Sequence, residues 1–191
     1  DTDGPRRAEL LTAASECFAI DGYDRTTAAT IAARAGTSRP TFYAYFASKD
    51  RVFHALTQQV CDALVAAQLV VDVDAASARE VLAATTRAYA EAIYANAPLV
   101  ALIEQRAGID PEVGALWTAV RDRTTRRFVR FLEQLDAAGT IDPAVSPARI
   151  VDAVADGILI GAARLAGAPE SDRERFIVEY IAITERLVGV A

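Results

Sequence analysis

Residues 27–45 read TAATIAARAGTSRPTFYAY, a stretch that predicts two short helices joined at Gly36. Thr27 and Ser38 each carry a hydroxyl that can cap the helix that follows, and Gly36 tolerates the positive φ that a tight turn requires. Ala32 is small enough to stand where the two helices cross. The stretch therefore predicts a helix-turn-helix, backed by a small apolar core of Ile31, Ala35, Phe42 and Phe46.

The second of these helices places hydrogen-bonding types on its outward face, namely Thr37, Ser38, Arg39, Thr41, Tyr43 and Tyr45, beside Pro40. An arginine near the start of such a helix can pair bidentately with guanine, and threonine can meet a base edge or a thymine methyl. Lys49 and the N–H groups at the start of the next helix suit phosphate. Judged on the turn geometry, a plain helical hairpin with a solvated polar face is the alternative to a DNA reader.

Charge favours the DNA reader locally. The chain carries a net charge of −6, yet residues 34–51 hold four basic side chains against the single carboxylate of Asp50. A protein that is acidic as a whole can still contact a polyanion through such a patch.

Composition places the chain among globular proteins. It has 191 residues, of which 52% are hydrophobic and 24% charged, so the disordered and fibrous classes do not fit. The most apolar stretch, residues 150–168, is interrupted by three charged side chains, which disfavours a membrane span. No secretion signal is recognisable, and we expect a cytoplasmic protein. Cys17 and Cys61 lack metal-ligand spacing and are expected to be buried small side chains rather than a disulfide framework.

Helical spacing recurs along the whole chain, and no alternating strand pattern is present, so the sequence predicts an all-α fold. Asp21-Gly22 is expected to end the first helix, and Pro98, Ser146-Pro147 and Ser171 are expected to open later ones. About nine helices are predicted, over residues 5–21, 27–35, 38–45, 48–71, 77–96, 98–107, 111–138, 146–166 and 171–188.

The wider pattern is similar to a known family. It reads Phe18-x3-Gly22-Tyr23, Thr27-x3-Ile31-Ala32-x2-Ala35-Gly36-x-Ser38 and Phe42-Tyr43-x-Tyr45-Phe46-x2-Lys49. These spacings resemble the amino-terminal domain of the TetR family of bacterial transcriptional regulators. Thr37 stands where the family more often has Val or Ile, and Pro40 where it often has Gly, which bears on base preference.

The resemblance implies two domains with different functions. Residues 1–50 are expected to form a three-helix DNA-binding domain, and residues 51–191 a helical ligand-binding and dimerisation domain, with the helix from about 48 to 71 linking the two. In that family the position of Thr27 usually contacts a phosphate, and the second helix and Lys49 make the main base and backbone contacts. The expected DNA-binding set is Thr27, Thr37, Ser38, Arg39, Pro40, Thr41, Tyr43, Tyr45 and Lys49.

Two later helices offer apolar stripes with a few polar side chains, which suit a small, largely apolar and uncharged effector held by one or two hydrogen bonds. The candidate ligand residues are Thr85, Tyr89, Ile93, Leu102, Trp117, Thr124 and Phe128. Ordinary core packing is an equally good account of each of them.

A second stripe of small residues, Ala153, Gly157 and Gly161, lets another backbone approach closely. In the family the last two helices pair across a two-fold axis, so the resemblance implies that this strip lies in a homodimer interface. Packing within one subunit is the alternative. A basic run, Arg121, Arg123, Arg126, Arg127 and Arg130, could make a second DNA contact, but the run is taken to spread around its helix beside Asp122 and Glu133, which favours a solvated face.

An enzyme is the rival class, and the sequence disfavours it. The chain has a single histidine, His54, and lacks Gly-x-Ser-x-Gly and Gly-x4-Gly-Lys strings. Asp152 and Asp156 stand one turn apart, but a polar helix edge explains them. We therefore expect a homodimeric, ligand-responsive DNA-binding repressor without catalytic residues, metal or cofactor, whose partners are an inverted-repeat operator and an apolar effector. A helical scaffold or small-molecule-binding protein without DNA affinity is the alternative.

Overall fold

The computed structural model describes residues 4–69 and 77–190, and within them it contains eight α-helices and no β-strand. The helices are α1 (Pro5–Arg25), α2 (Ala28–Arg34), α3 (Arg39–Tyr45), α4 (Lys49–Ala66, continued by a 3₁₀ turn, Ala67–Leu69), α5 (Ala78–Ala107), α6 (Pro111–Ala137), α7 (Pro147–Leu165) and α8 (Glu170–Val188). The prediction of an all-α fold is confirmed. The predicted end of the fourth helix at Val71 lies outside the described residues.

Two predicted helix boundaries were wrong, and a third coincides with a kink. The helices expected over 77–96 and 98–107 form one helix, α5, with Pro98 inside it. Proline removes one N–H donor from a helix, and apolar side chains buried on both sides of this position, Ile93 and Val100, offset that loss. Gly22 has the expected positive φ of 74°, with a non-helical ψ of 175°, so the helix is kinked at the residue where the sequence predicted its end, and a short helical segment follows to Arg25. The last helix starts at Glu170, with Pro169 as its N-cap, so Ser171 does not cap it.

The chain divides into two compact units. The first comprises Asp1–Cys61 and Pro98–Trp117, and the second Asp62–Ala97 and Thr118–Ala191. The first unit therefore contains the predicted DNA-binding segment together with part of α4 and residues 98–117. The two boundaries near the middle of the chain fall within α5 and α6.

The core of the first unit is aromatic. Phe18, Phe42 and Phe53 are fully buried, and Tyr23 stacks on Phe18 with ring centroids 5.6 Å apart. In the second unit the largest fully buried side chains are aliphatic, among them Leu82, Leu132 and Ile150, and α7 packs along α8. None of the helices in the described ranges is long and apolar enough to cross a membrane.

Candidate nucleic-acid interface and ligand cavity

The helix-turn-helix is built by two caps and one glycine. The Thr27 hydroxyl accepts the N–H of Thr30 at 3.1 Å, and the Thr30 hydroxyl accepts the N–H of Thr27 at 2.9 Å, a reciprocal capping box at the start of α2. Gly36 turns the chain with φ 62°. Ile31, Phe42 and Phe46 of the predicted core are buried behind the turn, as is Ala32, whereas Ala35 is only half-buried.

Of the side chains predicted to face outward around α3, Ser38, Arg39 and Tyr43 are exposed. Ser38 accepts the Thr41 N–H at 3.3 Å, so its hydroxyl caps α3. The guanidinium of Arg39 lies 5.9 Å from the ring centroid of Tyr43, its i+4 neighbour, which itself is 48% exposed. Among the described residues Arg39 has no ion-pair partner, so its N–H donors are available to an acceptor outside the protein. Pro40 is also exposed, whereas Thr37, Thr41 and Tyr45 are half-buried.

Lys49 is engaged within the protein. Its Nζ donates to the carbonyl oxygen of Tyr23 at 2.9 Å and lies 4.3 Å from the centroid of the Tyr23 ring. Lys49 is also half-buried, so these contacts fix the start of α4 against the end of α1. The structure therefore gives Lys49 a positioning role that the sequence did not suggest.

Tyr23 is the centre of this cluster, although the sequence analysis assigned it no role. Its hydroxyl donates to Asp50, and the Arg106 guanidinium lies 4.0 Å from its ring centroid. Burial, together with the hydrogen bond to the Asp50 carboxylate, raises the pKa of Tyr23 well above its ordinary value, so the hydroxyl stays protonated. The Phe18-x3-Gly22-Tyr23 pattern was the sequence signal that could have drawn attention to Tyr23. The contact with Arg106 could not have been found in this way, because Arg106 lies far along the sequence.

The histidine of the first unit is held between two carboxylates. His54 Nε2 lies 2.8 Å from Oδ2 of Asp110, and Nδ1 lies 3.1 Å from Oε2 of Glu112. The Arg51 guanidinium also approaches this site, 3.5 Å from His54 Nδ1 and 3.0 Å from Oε1 of Glu112. Asp110 also accepts the N–H groups of Glu112 and Val113 at the start of α6. Burial opposes ionisation of Asp110, but these hydrogen bonds outweigh it and lower the pKa of the carboxyl.

The second unit contains a cavity of about 40 Å³. Its lining comes from α5, α6, α7 and the turn after α4: Gln68, Thr85, Thr86, Tyr89, Thr124, Thr125, Phe128, Val151, Val154, Ala155 and Ile158. This volume holds only a few water molecules. Drug-sized ligands need roughly 300 to 1,000 Å³, so the cavity is too small for such a ligand in this conformation.

Four of the seven candidate ligand residues line this cavity: Thr85, Tyr89, Thr124 and Phe128. The other three do not. Ile93 is fully buried outside the lining, and Leu102 and Trp117 belong to the first unit. Trp117 is seven residues before Thr124, which keeps it on the same helix face but moves it about 10 Å along the axis.

The cavity also includes residues that the sequence analysis missed. The Gln68 Oε1 is buried and has no hydrogen-bond partner in the described part of the chain. The α7 residues of the lining recur at helical spacing within the most apolar stretch of the chain, which was the signal that could have identified them. Thr124 donates its hydroxyl to backbone carbonyls of its own helix, at 3.0 Å to Val120 and 2.9 Å to Arg121.

The small-residue strip packs within the chain. A Cβ added to Gly157 would clash with the Tyr180 hydroxyl, and one added to Gly161 would clash with the Phe176 ring. These two glycines therefore admit aromatic side chains of α8, which is the packing alternative considered above, while Ala153 is exposed. Large apolar side chains exposed on α7 and α8 are Ile160, Val178 and Ile183.

The carboxylates that an enzyme could have used are separately paired. Asp156 accepts from Arg121, and Asp152 lies 3.9 Å from Arg149. Within residues 4–69 and 77–190 there is no cluster of three or more His, Cys, Asp or Glu side chains that could hold a metal ion.

These features define a helix-turn-helix protein with a separate helical unit. Residues 10–56 match the model of a family described as bacterial regulatory proteins, tetR family. This match, together with the helix-turn-helix geometry, makes residues 10–56 a domain of the tetR-family type.

Three similar proteins give the scale of the likeness. The HTH-type transcriptional activator FasR of Mycolicibacterium smegmatis is 45% identical over 60 residues, which is 31% of this chain and 27% of that protein. A tetR-family regulatory protein from Rhodococcus RHA1 is 24% identical, with a TM-score of 0.80 and coverage of 98% of this chain and 99% of that one. The ketosteroid transcriptional regulator KstR2 of Mycobacterium tuberculosis is 24% identical, with a TM-score of 0.79 and coverage of 98% and 97%. The two solved structures show that the fold is shared over nearly the whole chain.

Proposed function

We propose that this protein is a homodimeric repressor that binds an inverted-repeat DNA operator through α3 and is released by a small apolar effector. The observation that carries the proposal is Arg39, an exposed guanidinium without an ion-pair partner among the described residues, at the first turn of a short helix fixed by caps at its own start and at the start of α2. Such a helix can enter the major groove with its amino-terminal residues against base edges. Its site of action would be the cytoplasm, where bacterial DNA lies.

Each side chain of the proposed DNA-binding surface around α3 has a proposed role. Arg39 pairs with a guanine and Thr41 contacts a neighbouring base, while Thr27, Ser38, Tyr43 and Tyr45 contact phosphates. Thr37 and Pro40 shape the entry of α3 into the groove. Lys49 supports these contacts by fixing α4 against Tyr23, and its charge adds to the local positive field.

Selection of bound sites from a random duplex library tests the DNA-binding part. Two readers related by a two-fold axis should select an inverted repeat whose half-site centres lie roughly 34 to 36 Å apart or somewhat more. Selection of a single unrepeated site would contradict the dimeric reading. A chain that retarded no duplex would instead be the helical scaffold or small-molecule-binding protein without DNA affinity.

The exposed apolar side chains Ile160, Val178 and Ile183 lie on the packed helices α7 and α8 and support a dimer there, because a partner subunit would remove them from water. Gly157 and Gly161 would contribute by admitting Tyr180 and Phe176, which shapes the same two helices. Sedimentation of Val178→Glu should give monomers. An intact dimer in this variant would show that the interface lies elsewhere.

The cavity of the second unit is the proposed effector site. Its lining is mostly apolar with threonine hydroxyls, and the buried Gln68 Oε1 offers one unused acceptor, which suits an uncharged apolar molecule with a hydrogen-bond donor. Binding requires the cavity of about 40 Å³ to expand, so an effector would select a conformation different from this one. By linkage, the effector releases DNA if the expanded conformation binds the operator more weakly. Such coupling is typically about 1 to 3 kcal/mol, which corresponds to about 5- to 150-fold in affinity.

A ketosteroid is a suitable first compound to test, since a protein of the same fold is named as a ketosteroid transcriptional regulator. Titration should raise the melting temperature and weaken operator binding over the same concentrations. Gln68→Leu should weaken the effect of compounds that carry a hydrogen-bond donor, while Gln59→Leu, at an exposed position on α4, should not.

The repressor role is tested by fusing the regulated promoter to a reporter gene. Activation of the reporter would contradict the repressor role and would agree with the name of the FasR relative, a transcriptional activator.

A further inference from the structure

Four arginines of α6 share one face of the helix. Arg123, Arg126, Arg127 and Arg130 follow the i, i+3, i+4, i+7 spacing, and at about 100° per residue they fall within an arc of roughly 100°. All four are exposed, and with Phe131 and Gln134 they line an open groove of about 490 Å³. We call these four residues the arginine stripe. The expectation that the basic run spreads around the helix therefore fails for all but Arg121, which pairs with Asp156.

The arginine stripe is poorly neutralised by the rest of the protein. Over the described ranges, Arg123, Arg127 and Arg130 have no carboxylate within ion-pair distance, and Arg126 has only Asp122 of its own helix, at 3.5 Å. Asp122 and Glu133 both lie on one side of the stripe, about 40° and 20° beyond Arg126 around the axis, so the side formed by Arg123 and Arg127 faces away from them. Four neighbouring guanidinium groups in a chain of net charge −6 make a concentrated positive site that favours a polyanion.

The chemistry of the groove favours one kind of polyanion. A membrane-binding helix needs large apolar side chains to insert, and none of the large exposed apolar residues lies on this face of α6. The centres of protein interfaces are depleted in charge, whereas protein–DNA interfaces are strongly positive and polar. Planar guanidinium groups pair bidentately with phosphate oxygens.

We propose that the arginine stripe binds the phosphate backbone of double-stranded DNA, as a sequence-independent contact additional to α3. From Arg123 to Arg130 the stripe spans about 10 Å, a length over which a duplex presents roughly six phosphate charges. About three of these charges belong to one strand, so the stripe can contact about three phosphates of that strand. This inference extends the proposed DNA-binding function by adding a second contact surface, and it requires no base recognition.

The test is the salt dependence of duplex binding. Fluorescence anisotropy measures binding to a random-sequence duplex of about 25 base pairs and to the selected operator, between about 50 and 300 mM KCl. The wild type is compared with R123Q/R127Q/R130Q. The matched control R149Q/R164Q/R186Q removes the same charge from exposed arginines of α7 and α8. Circular dichroism and sedimentation check that both variants keep the fold and oligomeric state of the wild type.

The stripe variant should bind the random duplex at least about tenfold more weakly at 0.1 M salt, and its log–log salt slope should be shallower by about 2 to 3, since each phosphate contact contributes about 0.9. The control should change the slope by less than about 1. Equal slopes in the two variants would overturn the proposal. So would displacement of the duplex by poly-L-glutamate at equal charge concentration, because the stripe would then prefer an acidic polypeptide.

The same data separate this proposal from the proposed function. A wild type that prefers its selected operator, with an unchanged slope in the stripe variant, would refute the stripe and leave the function standing. A wild type without operator preference, whose duplex binding still depends on the stripe, would refute operator recognition and support the stripe.

Discussion

Gly36→Ala tests whether the turn between α2 and α3 depends on a left-handed backbone. Gly36 has φ 62°, and a Cβ added there would meet no atom within 4 Å. The cost is therefore set by the backbone and not by a clash. An L-residue in this region costs about 1 to 2 kcal/mol, so the free energy of unfolding should fall by about that amount.

Two comparison variants isolate the cause. Gly36→Asn should lose less than Gly36→Ala, because asparagine tolerates the left-handed region. Gly108→Ala also adds a Cβ in open space, at a position without positive φ, and should leave the stability unchanged or raise it by about 0.4 to 1 kcal/mol.

Urea denaturation at pH 7 is the assay, followed by ellipticity at 222 nm as the usual helix signal and by fluorescence of Trp117, which belongs to the same compact unit as Gly36. If Gly36→Ala and Gly108→Ala unfold at the same urea concentration, backbone conformation at the turn is not what selects glycine. The reasoning would also fail if asparagine were worse than alanine at position 36.

Two further substitutions test other parts of the structure. Asp110→Asn keeps an N-cap for α6 but removes the charge beside His54, so it should cost about 1.5 to 3 kcal/mol at pH 7. Because the folded-state pKa of Asp110 is lowered, its contribution to the free energy of unfolding is complete above the ordinary aspartate pKa and disappears as the pH falls through the folded value. The urea unfolding curves of the wild type and Asp110→Asn should therefore converge in acid. A difference in stability that does not change with pH would contradict this. Gly161→Leu should lower stability by about 1 to 3 kcal/mol through overpacking against Phe176, whereas Ala153→Leu at an exposed position should stay within about 0.5 kcal/mol in thermal melts. A Gly161→Leu chain that melts like the wild type but sediments as a monomer would place Gly161 against a partner subunit instead.

The helix-turn-helix was predictable because its determinants are local. Thr27, Ser38 and Gly36 act on backbone groups within four residues, so their spacing in the sequence already specifies the caps and the turn. Burial of Phe42 follows from the same short-range pattern.

The cavity was only half predictable because it depends on which helices meet. The stripes of α5 and α6 identified Thr85 and Thr124, but periodicity does not tell how far along each helix the lining extends, and Trp117 was misplaced for that reason. The contribution of α7 needed the tertiary arrangement. Pro98 shows a similar limit, since tertiary packing keeps α5 continuous through a residue that usually ends a helix, although the division between the two units falls at this point.

The contacts of Lys49 and Arg106 with Tyr23 in the first unit also could not be predicted from the sequence. Lys49 is basic and adjacent to the reader helix, which predicts a phosphate contact, but its partner is the carbonyl oxygen of Tyr23, 26 residues earlier. Arg106 reaches the same tyrosine from the far end of α5. Long-range pairs of this kind leave no spacing signal in a single sequence.

The central claim is that Arg39 on α3 reads DNA sequence, and the most direct measurement is the ratio of affinities for the selected operator and a scrambled duplex of equal length. The wild type should prefer the operator by a factor of about 10³ or more. Arg39→Ala should lose about 1 to 3 kcal/mol of that preference at each half-site, while Arg34→Ala, which removes a guanidinium paired with Glu16 on the neighbouring helix, should keep the ratio. A wild type that binds both duplexes equally, or an Arg39→Ala variant that keeps the full ratio, would contradict the account.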